Sequence, residues 1–187
     1  DAQESRGLGD VYKRQAKVNS LADPALIEAL YEASQAGVTV ELSVRGICCL
    51  RPGVPGLSER ITVSSVIDRY LEHARIFWFR QGGEEAVFIS SADWMPRNLD
   101  RRIELMAAVT DPACAERLKR ILRTCLDDTA QGWRMLPDGR YERRREETKK
   151  GVRSQWVFQQ EAEMAARRAR RRKPMLFEPH RPPASSA

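Results

Sequence analysis

The sequence contains few histidines, few cysteines and no long hydrophobic run. Only two histidines and four cysteines occur among 187 residues, and the cysteines form no Cys-x-x-Cys pair, so a zinc site or a disulfide framework is poorly supported. No stretch approaches the roughly 18–20 apolar residues that a membrane span needs, and the N-terminus lacks the hydrophobic segment of a signal peptide. We therefore expect a cytoplasmic protein with reduced cysteines and without a membrane span.

Aromatic residues are also scarce, at 7% of the chain, whereas 42% of the residues are hydrophobic. A core built from this composition must be mostly aliphatic. The length is enough for one domain with an appendage.

The net charge of +6 is concentrated at one end of the chain. Residues 164–187 contain seven Lys or Arg residues and a single acid, Glu178, while residues 1–163 hold equal numbers of acidic and basic residues. The high isoelectric point is therefore a property of the tail, and it does not indicate a basic surface on the body. We expect no specific nucleic-acid partner, although the run from Arg167 to Lys173 leaves a polyanion-binding module as an alternative.

The first half of the body has the pattern of an α/β fold. Asp23 and Pro24 are typical of a helix start, and Gly37 is typical of a helix end. The β-branched alternation over residues 38–44 predicts a strand directly after that helix. A helix followed at once by a strand favours an α/β domain with a mixed sheet flanked by helices.

The middle of the chain continues this pattern, with Gly82 and Gly83 forming a hairpin turn. The patterns predict a strand at 61–63, a short helix at 66–72, hairpin strands at 75–79 and 86–89, a loop at 91–100, a strand at 103–109 and a helix from Asp111 to about Asp128.

The remaining segments are assigned by composition. We expect the α/β domain to cover residues 16–130, and a C-terminal extension to follow at 131–173 as a polar hairpin around Pro137-Asp138-Gly139 and a basic helix from Gln155. Residues 174–187 are rich in proline and are expected to be disordered. Residues 1–15 fit no element and are interpreted as a non-native or disordered leader.

His73 is the one histidine in the body, and it stands where a predicted helix meets a predicted strand. Arg75 lies two residues further on, and residues i and i+2 of an extended segment point to the same side. Their side chains could therefore face one ligand, with the imidazole handling a proton or phosphoryl group and the guanidinium neutralising charge. By spacing alone, a structural histidine remains the more common alternative.

Further phosphate-binding candidates surround the neighbouring strand ends. Arg45 follows the strand at 38–44, and guanidinium groups bind phosphate oxygens in a bidentate manner. The loop after the second hairpin strand is rich in hydroxyl, amide and guanidinium donors, and its candidates are Ser91, Arg97, Asn98 and Arg101. The sequence predicts no metal ligands in this set.

Three longer motifs carry a resemblance to a known family. VRGICCLRPG at 44–53, RYLEHAR at 69–75 and SADWMPRNLDRRIE at 91–104 resemble the C-terminal catalytic domain of bacterial polyphosphate kinase, and KVNSLADP at 17–24 fits the same family. The resemblance runs from about residue 16 to residue 141, and it implies a phospholipase-D-like fold. In that superfamily a His-x-Lys pair precedes a Ser-x-Asn turn; here Arg75 replaces the lysine and Asp93 replaces the asparagine.

The resemblance implies a function as well as a fold. The family makes polyphosphate reversibly from ATP, with ADP as the other product, through a phosphohistidine in an upstream domain. His73 matches the family's second histidine, which contacts nucleotide phosphates and acts as acid or base, and Arg45 matches an arginine that binds ATP. The phosphorylated histidine and the Mg²⁺-associated residues would lie upstream of residue 16. The chain would then be a fragment that is inactive alone and forms a homo-oligomer when intact.

Two other functions stay open at this point. A phospholipase-D-like phosphodiesterase could pair two copies of His73 across a dimer, although Arg75 in place of lysine argues against it. The second alternative is the polyanion-binding module formed by the basic C-terminal run.

Overall fold

The computed structural model describes residues 12–144 and 151–171. The first of these ranges forms one eight-stranded sheet with helices packed against it. The elements, in chain order, are β1 (Tyr12–Val18), α1 (Pro24–Gln35), β2 (Thr39–Val44), β3 (Ile61–Val66), β4 (Ile76–Gln81), β5 (Glu84–Ser90), α2 (Pro96–Arg101), β6 (Met106–Ala108), α3 (Pro112–Leu126), β7 (Gly132–Met135), β8 (Tyr141–Arg143) and α4 (Ser154–Arg171). The contacts divide the chain after Gln155, so the body and the rest of α4 are separate units. No helix in the described ranges is long and apolar enough to cross a membrane.

The strands are arranged in the order β6-β5-β4-β1-β2-β3-β7-β8. The central strands β1, β2 and β3 are parallel, while β4, β5 and β6 on one side and β7 and β8 on the other are antiparallel to their neighbours. The predicted mixed sheet is therefore confirmed. Because β4 runs against β1, the start of β4 lies beside the ends of the parallel strands.

The two longer helices of the body begin as the sequence predicts. The carboxylate of Asp23 accepts a hydrogen bond from the backbone N–H of Leu26 at 2.9 Å, and that of Asp111 accepts one from Cys114 at 2.7 Å. Each aspartate is followed by proline at the first helical position, where the missing N–H costs nothing. Gly37 after α1 has φ +89°, a conformation that glycine adopts without the strain a Cβ would cause.

The two faces of the sheet bury different side chains. One face carries the main aliphatic core, which includes Val18, Leu42 and Val63 and packs against Leu30 of α1. The other face packs Trp78 against Leu122 of α3, but it also buries the polar residues Gln15 and Lys17 of β1. A polar layer thus lies beneath α3, whereas the α1 side is almost entirely apolar.

Several predicted elements need correction. Residues 67–75 have no helix and form an irregular connection after β3, so the predicted helix at 66–72 is wrong. The predicted loop at 91–100 contains α2, whose start is favoured by Pro96 at its first position. The predicted strand at 103–109 shortens to three residues, because it pairs only with the end of β5.

The domain limits also differ from the sequence-based expectation. The hairpin of β7 and β8 continues the same sheet through β3, so the sheet extends past residue 130. Tyr12 to Gln15, within the expected leader, form the first half of β1 and pair with both β2 and β4. The sequence of these residues alone does not predict a strand, because it is polar and because the two strands that pair with it are distant in the sequence. The rest of the leader and the tail at 174–187 lie outside the described residues.

Strand β1 should be among the best protected segments of the chain. Its amides are hydrogen-bonded within the sheet, between two neighbouring strands, and such amides open only with much of the fold. In hydrogen exchange measured by mass spectrometry, residues 12–18 should exchange at least about a hundredfold more slowly than the turn at Gly82 and Gly83. Equal exchange rates in the two segments would show that β1 is not part of the folded sheet.

Candidate functional site

The ends of four strands place the candidate residues along one edge of the sheet. Asn19 follows β1, Arg45 follows β2, Arg75 precedes β4 and Ser91 follows β5. The register of β1 and β4 pairs Lys17 with Ile76, so Arg75 lies next to the end of β1. This edge corresponds to the carboxyl ends of the parallel strands, where α/β sheets bind ligands.

Asp93 is the buried centre of this edge. Its carboxylate accepts hydrogen bonds from the backbone N–H groups of Asn19 at 2.7 Å and Ser20 at 3.3 Å. It also accepts from Nε of Arg75 at 3.1 Å and from Nη2 at 2.9 Å. Burial by itself raises the pKa of Asp93, but the donors from Arg75, Asn19 and Ser20 outweigh it, so that the pKa lies below its usual value. The aspartate therefore stays ionised and ties three segments together.

His73 is exposed and contacts the same arginine. Its Nε2 lies 2.9 Å from Nη2 of Arg75, and its backbone carbonyl accepts from Nη1 at 3.3 Å. The two side chains meet, as their spacing predicts. Because a guanidinium only donates, Nε2 must act as the acceptor in this contact, which assigns the proton of the neutral ring to Nδ1.

Arg45 joins the network through Asn19. Its Nε donates to Oδ1 of Asn19 at 2.8 Å, and the Asn19 backbone is in turn held by Asp93. A Cβ at Gly46 would lie 3.0 Å from the Asn19 carbonyl oxygen, so the close approach of these two loops favours glycine. Arg45, Asn19, Asp93, Arg75 and His73 therefore form one continuous chain of contacts.

Ser91 and Asn98 belong to a second cluster. The hydroxyl of Ser91 and Nδ2 of Asn98 both donate to the carboxylate of Glu104. These two hydrogen bonds, assisted by the charges of Arg102 and Arg75, lower the pKa of Glu104. The structure thus gives Ser91 and Asn98 a carboxylate partner, and it does not place them in the chain of contacts around His73.

Arg97 and Arg101 are exposed on α2. Neither forms an ion pair within the described ranges, and neither contacts the His73 network. The structure therefore leaves these two predicted residues as solvent-facing cations beside the edge.

Sequence reasoning missed a buried ion pair that holds the segment before His73. Nζ of Lys17 lies 2.6 Å from Oε2 of Glu72, and both side chains are largely buried. Nε2 of Gln155 donates to the other carboxylate oxygen at 2.8 Å. Lys17 could be recognised as an inward-facing cation only if β1 was already known to be a central strand.

The described part of the chain contains no cluster of metal-ligating side chains. Among residues 12–144 and 151–171, no three His, Cys, Asp or Glu side chains gather in a way that could hold a metal ion. The buried carboxylate of Asp93 is already occupied by Arg75 and two backbone donors, and the flanking groups are cations. All four cysteines are free thiols.

A family model described as "Polyphosphate kinase C-terminal domain 2" matches residues 6–155, which is most of the chain. The chain belongs to this polyphosphate kinase family. The resemblance carried by the three motifs is thereby confirmed, and so is the predicted fold class, because the match covers the complete sheet.

Curated polyphosphate kinases show the same relationship. One from Rhodopirellula baltica is 60% identical over 128 residues, covering 68% of this chain and 15% of the relative. One from Pseudomonas aeruginosa is 53% identical over 136 residues, covering 73% of this chain and 20% of the relative. The chain therefore spans no more than about a fifth of the length of these kinases.

A solved structure agrees with this placement. The crystal structure of polyphosphate kinase from Porphyromonas gingivalis superimposes with a TM-score of 0.80 at 39% identity, covering 88% of this chain and 25% of that one. The sheet and its flanking helices are thus the arrangement of a polyphosphate kinase C-terminal region.

Replacing Asp93 in this polyphosphate kinase domain should be strongly destabilising. Asp93→Asn removes the charge that compensates the largely buried Arg75, and breaking a buried ion pair costs about 3–5 kcal/mol. Urea denaturation should show this loss in the free energy of unfolding. Asp100→Asn, at an exposed position of α2, is the matched control and should change it by less than about 0.5 kcal/mol. Equal effects of the two substitutions would contradict the proposed role of Asp93.

The same pair predicts a pH dependence. Because the pKa of Asp93 is lowered in the folded state, its stabilisation is complete above the unfolded value of about 3.9 and is lost as pH falls through the folded pKa. The stability difference between the parent and Asp93→Asn should therefore shrink as the pH is lowered below about 4. A difference that stays constant down to pH 2 would show that ionisation of Asp93 is not the cause.

Proposed function

We propose that this chain is the C-terminal portion of an enzyme that transfers the terminal phosphate of ATP reversibly to polyphosphate. The observation that carries the proposal is the chain of contacts from Arg45 to His73, at the strand ends of a domain that belongs to the polyphosphate kinase family. Phosphoryl transfer depends mainly on positioning and on charge neutralisation, and this edge offers both.

His73 is the proposed acid–base group that contacts the nucleotide phosphates. Its ring is exposed, and a histidine exchanges protons near neutral pH. Arg45 is the proposed ATP-binding residue, because it lies at the same edge and its contact with Asn19 uses only part of its guanidinium.

Arg75 is assigned a positioning role instead of the phosphate contact that its sequence position favours. Its Nε and Nη2 groups bind Asp93, Nη2 also meets the His73 ring, and Nη1 donates to the His73 carbonyl. Few of its N–H groups remain for a phosphate. Arg75 thus contacts both the backbone carbonyl and the imidazole ring of His73. It links His73 to the buried carboxylate of Asp93.

The rest of the reaction is assigned to upstream parts of the enzyme. The phosphorylated histidine and the Mg²⁺ ligands of the family are proposed to lie before residue 16, as the resemblance to the family implies. The proposal includes a homo-oligomeric, cytoplasmic enzyme that acts on ATP, ADP and polyphosphate. The second histidine, His180, lies outside the described residues, as does Lys173 of the basic run.

The function can be tested in a chimeric enzyme. Residues 12–155 of this chain, which include the whole of β1, would replace the matching segment of the Pseudomonas aeruginosa kinase, which is 53% identical. ATP-dependent polyphosphate formation would then be measured. The chimera should be active, His73→Ala should lower its turnover about 10²–10⁴-fold, and Arg45→Ala should chiefly raise the KM for ATP. Arg117→Ala on the exposed side of α3 is the control. Turnover of His73→Ala within a few-fold of the parent chimera would contradict the catalytic role.

The isolated chain should not be phosphorylated by ATP. Its body lacks the proposed nucleophile, so incubation with γ-labelled ATP should leave no acid-labile label, whereas the chimera should be labelled. Stoichiometric label on His73 would overturn the assignment of roles. Turnover of a phosphodiester by the isolated chain would instead favour the phosphodiesterase alternative.

A further inference from the structure

A second polar cavity lies away from the His73 edge. It has a volume of about 570 Å³ and is bounded by the first half of β1, the middle of β2 and β3, the end of β4, β7 and the end of α3. Arg80 in its wall is five residues beyond Arg75, which corresponds to roughly 16 Å along an extended strand. The cavity is therefore separate from the site described above.

The lining of this cavity is strongly cationic. Five basic side chains face two carboxylates, and the basic residues are Lys13, Arg80, Arg123, Arg134 and Arg144. Lys13 is neutralised by Glu41, at 2.9 Å. Arg80 and Arg134 are exposed and form no ion pair within residues 12–144 and 151–171, which leaves two guanidinium groups without an anion.

Arg123 lies in the same wall with its edge available. Its guanidinium stacks over the ring of Trp78, at 4.6 Å from the centroid, and its nearest carboxylate, Glu116, is 3.7 Å away. Stacking uses the face of a guanidinium and leaves its N–H edge free for an oxyanion. The cavity thus offers a third arginine, whose ion pair with Glu116 is long, at 3.7 Å.

Trp78 forms part of the cavity wall. It is about 6% exposed, and the guanidinium group of Arg123 stacks on its ring. An anion bound against the arginines would therefore lie beside this indole and change its surroundings.

We propose that this cavity binds a short chain of phosphoryl groups. Guanidinium groups match the geometry of phosphate oxygens in bidentate pairs, and a volume of about 570 Å³ is much larger than a single phosphate requires, so a chain of several groups fits. Because Arg80 on β4 and Arg134 on β7 approach from different strands, they can contact different phosphates of one chain. This binding site does not depend on the proposed role of His73.

The test uses the tryptophan as a local reporter. Sodium tripolyphosphate would be titrated into the ¹⁵N-labelled chain, and the indole N–H resonance of Trp78, assigned with Trp78→Phe, would be followed. It should shift in a saturable manner, with a Kd of about 1 mM or lower. No shift of this resonance up to about ten times that concentration would overturn the proposal.

Two double variants distinguish binding in the cavity from non-specific attraction between the anion and positively charged side chains. Arg80→Gln combined with Arg134→Gln should raise the Kd at least about tenfold, because charge-assisted hydrogen bonds to the phosphate oxygens are lost. Arg117→Gln combined with Arg140→Gln removes the same charge from exposed positions outside the lining and should leave the Kd within a factor of about two. Equal weakening by both pairs would overturn the proposal. An unchanged indole resonance of Trp94, which stacks on Phe77 of the core, would show that each variant is folded.

A parallel titration with ATP distinguishes the source of the phosphate chain. An equal Kd for ATP and tripolyphosphate would assign the site to any phosphate chain, with the nucleoside left outside the cavity. A shift with tripolyphosphate alone would assign it to inorganic chains. A shift with ATP that adenosine reproduces would overturn the proposal, because the base and not the phosphates would then be recognised.

Discussion

The geometry of the site edge depends on the burial of one carboxylate. Asp93 is inside the protein, and its charge is matched by Arg75 and by the backbone N–H groups of Asn19 and Ser20. A buried charge is tolerated only when all its bonding capacity is satisfied. The end of β1, the start of β4 and the loop after β5 must therefore come together, and the position of His73 follows from that requirement.

The same arrangement supports the phosphate chemistry that we propose for this edge. Arg75 is held by Asp93 and in turn holds His73, while the Lys17–Glu72 pair fixes the residue before the histidine. A positioned imidazole loses little freedom when a ligand binds, which is how preorganised groups contribute to catalysis. Arg45, which follows β2, adds a positive charge to the same edge. The edge thus combines a rigid support with exposed functional groups.

The two faces of the sheet differ because their helices cover different side chains. Under α1 the strands bury aliphatic residues, and close packing there stabilises the domain. Under α3 they bury Gln15 and Lys17 beside Trp78. The polar groups in that layer need hydrogen-bonding partners. Beyond the end of α3, side chains of the same strands line the cationic cavity. The apolar core and the cationic cavity therefore lie on different faces of the sheet.

The sequence by itself determined the family, the α/β class, the caps of α1 and α3 and the meeting of His73 with Arg75, because each depends on residues close together in the chain. Only the tertiary structure decided that Tyr12 to Val18 form a central strand, that Ser91 and Asn98 bind Glu104 and that Asp93 is the shared anchor. These features join residues separated by up to 74 positions. Local spacing cannot reveal which carboxylate is buried, because burial is a property of the assembled sheet.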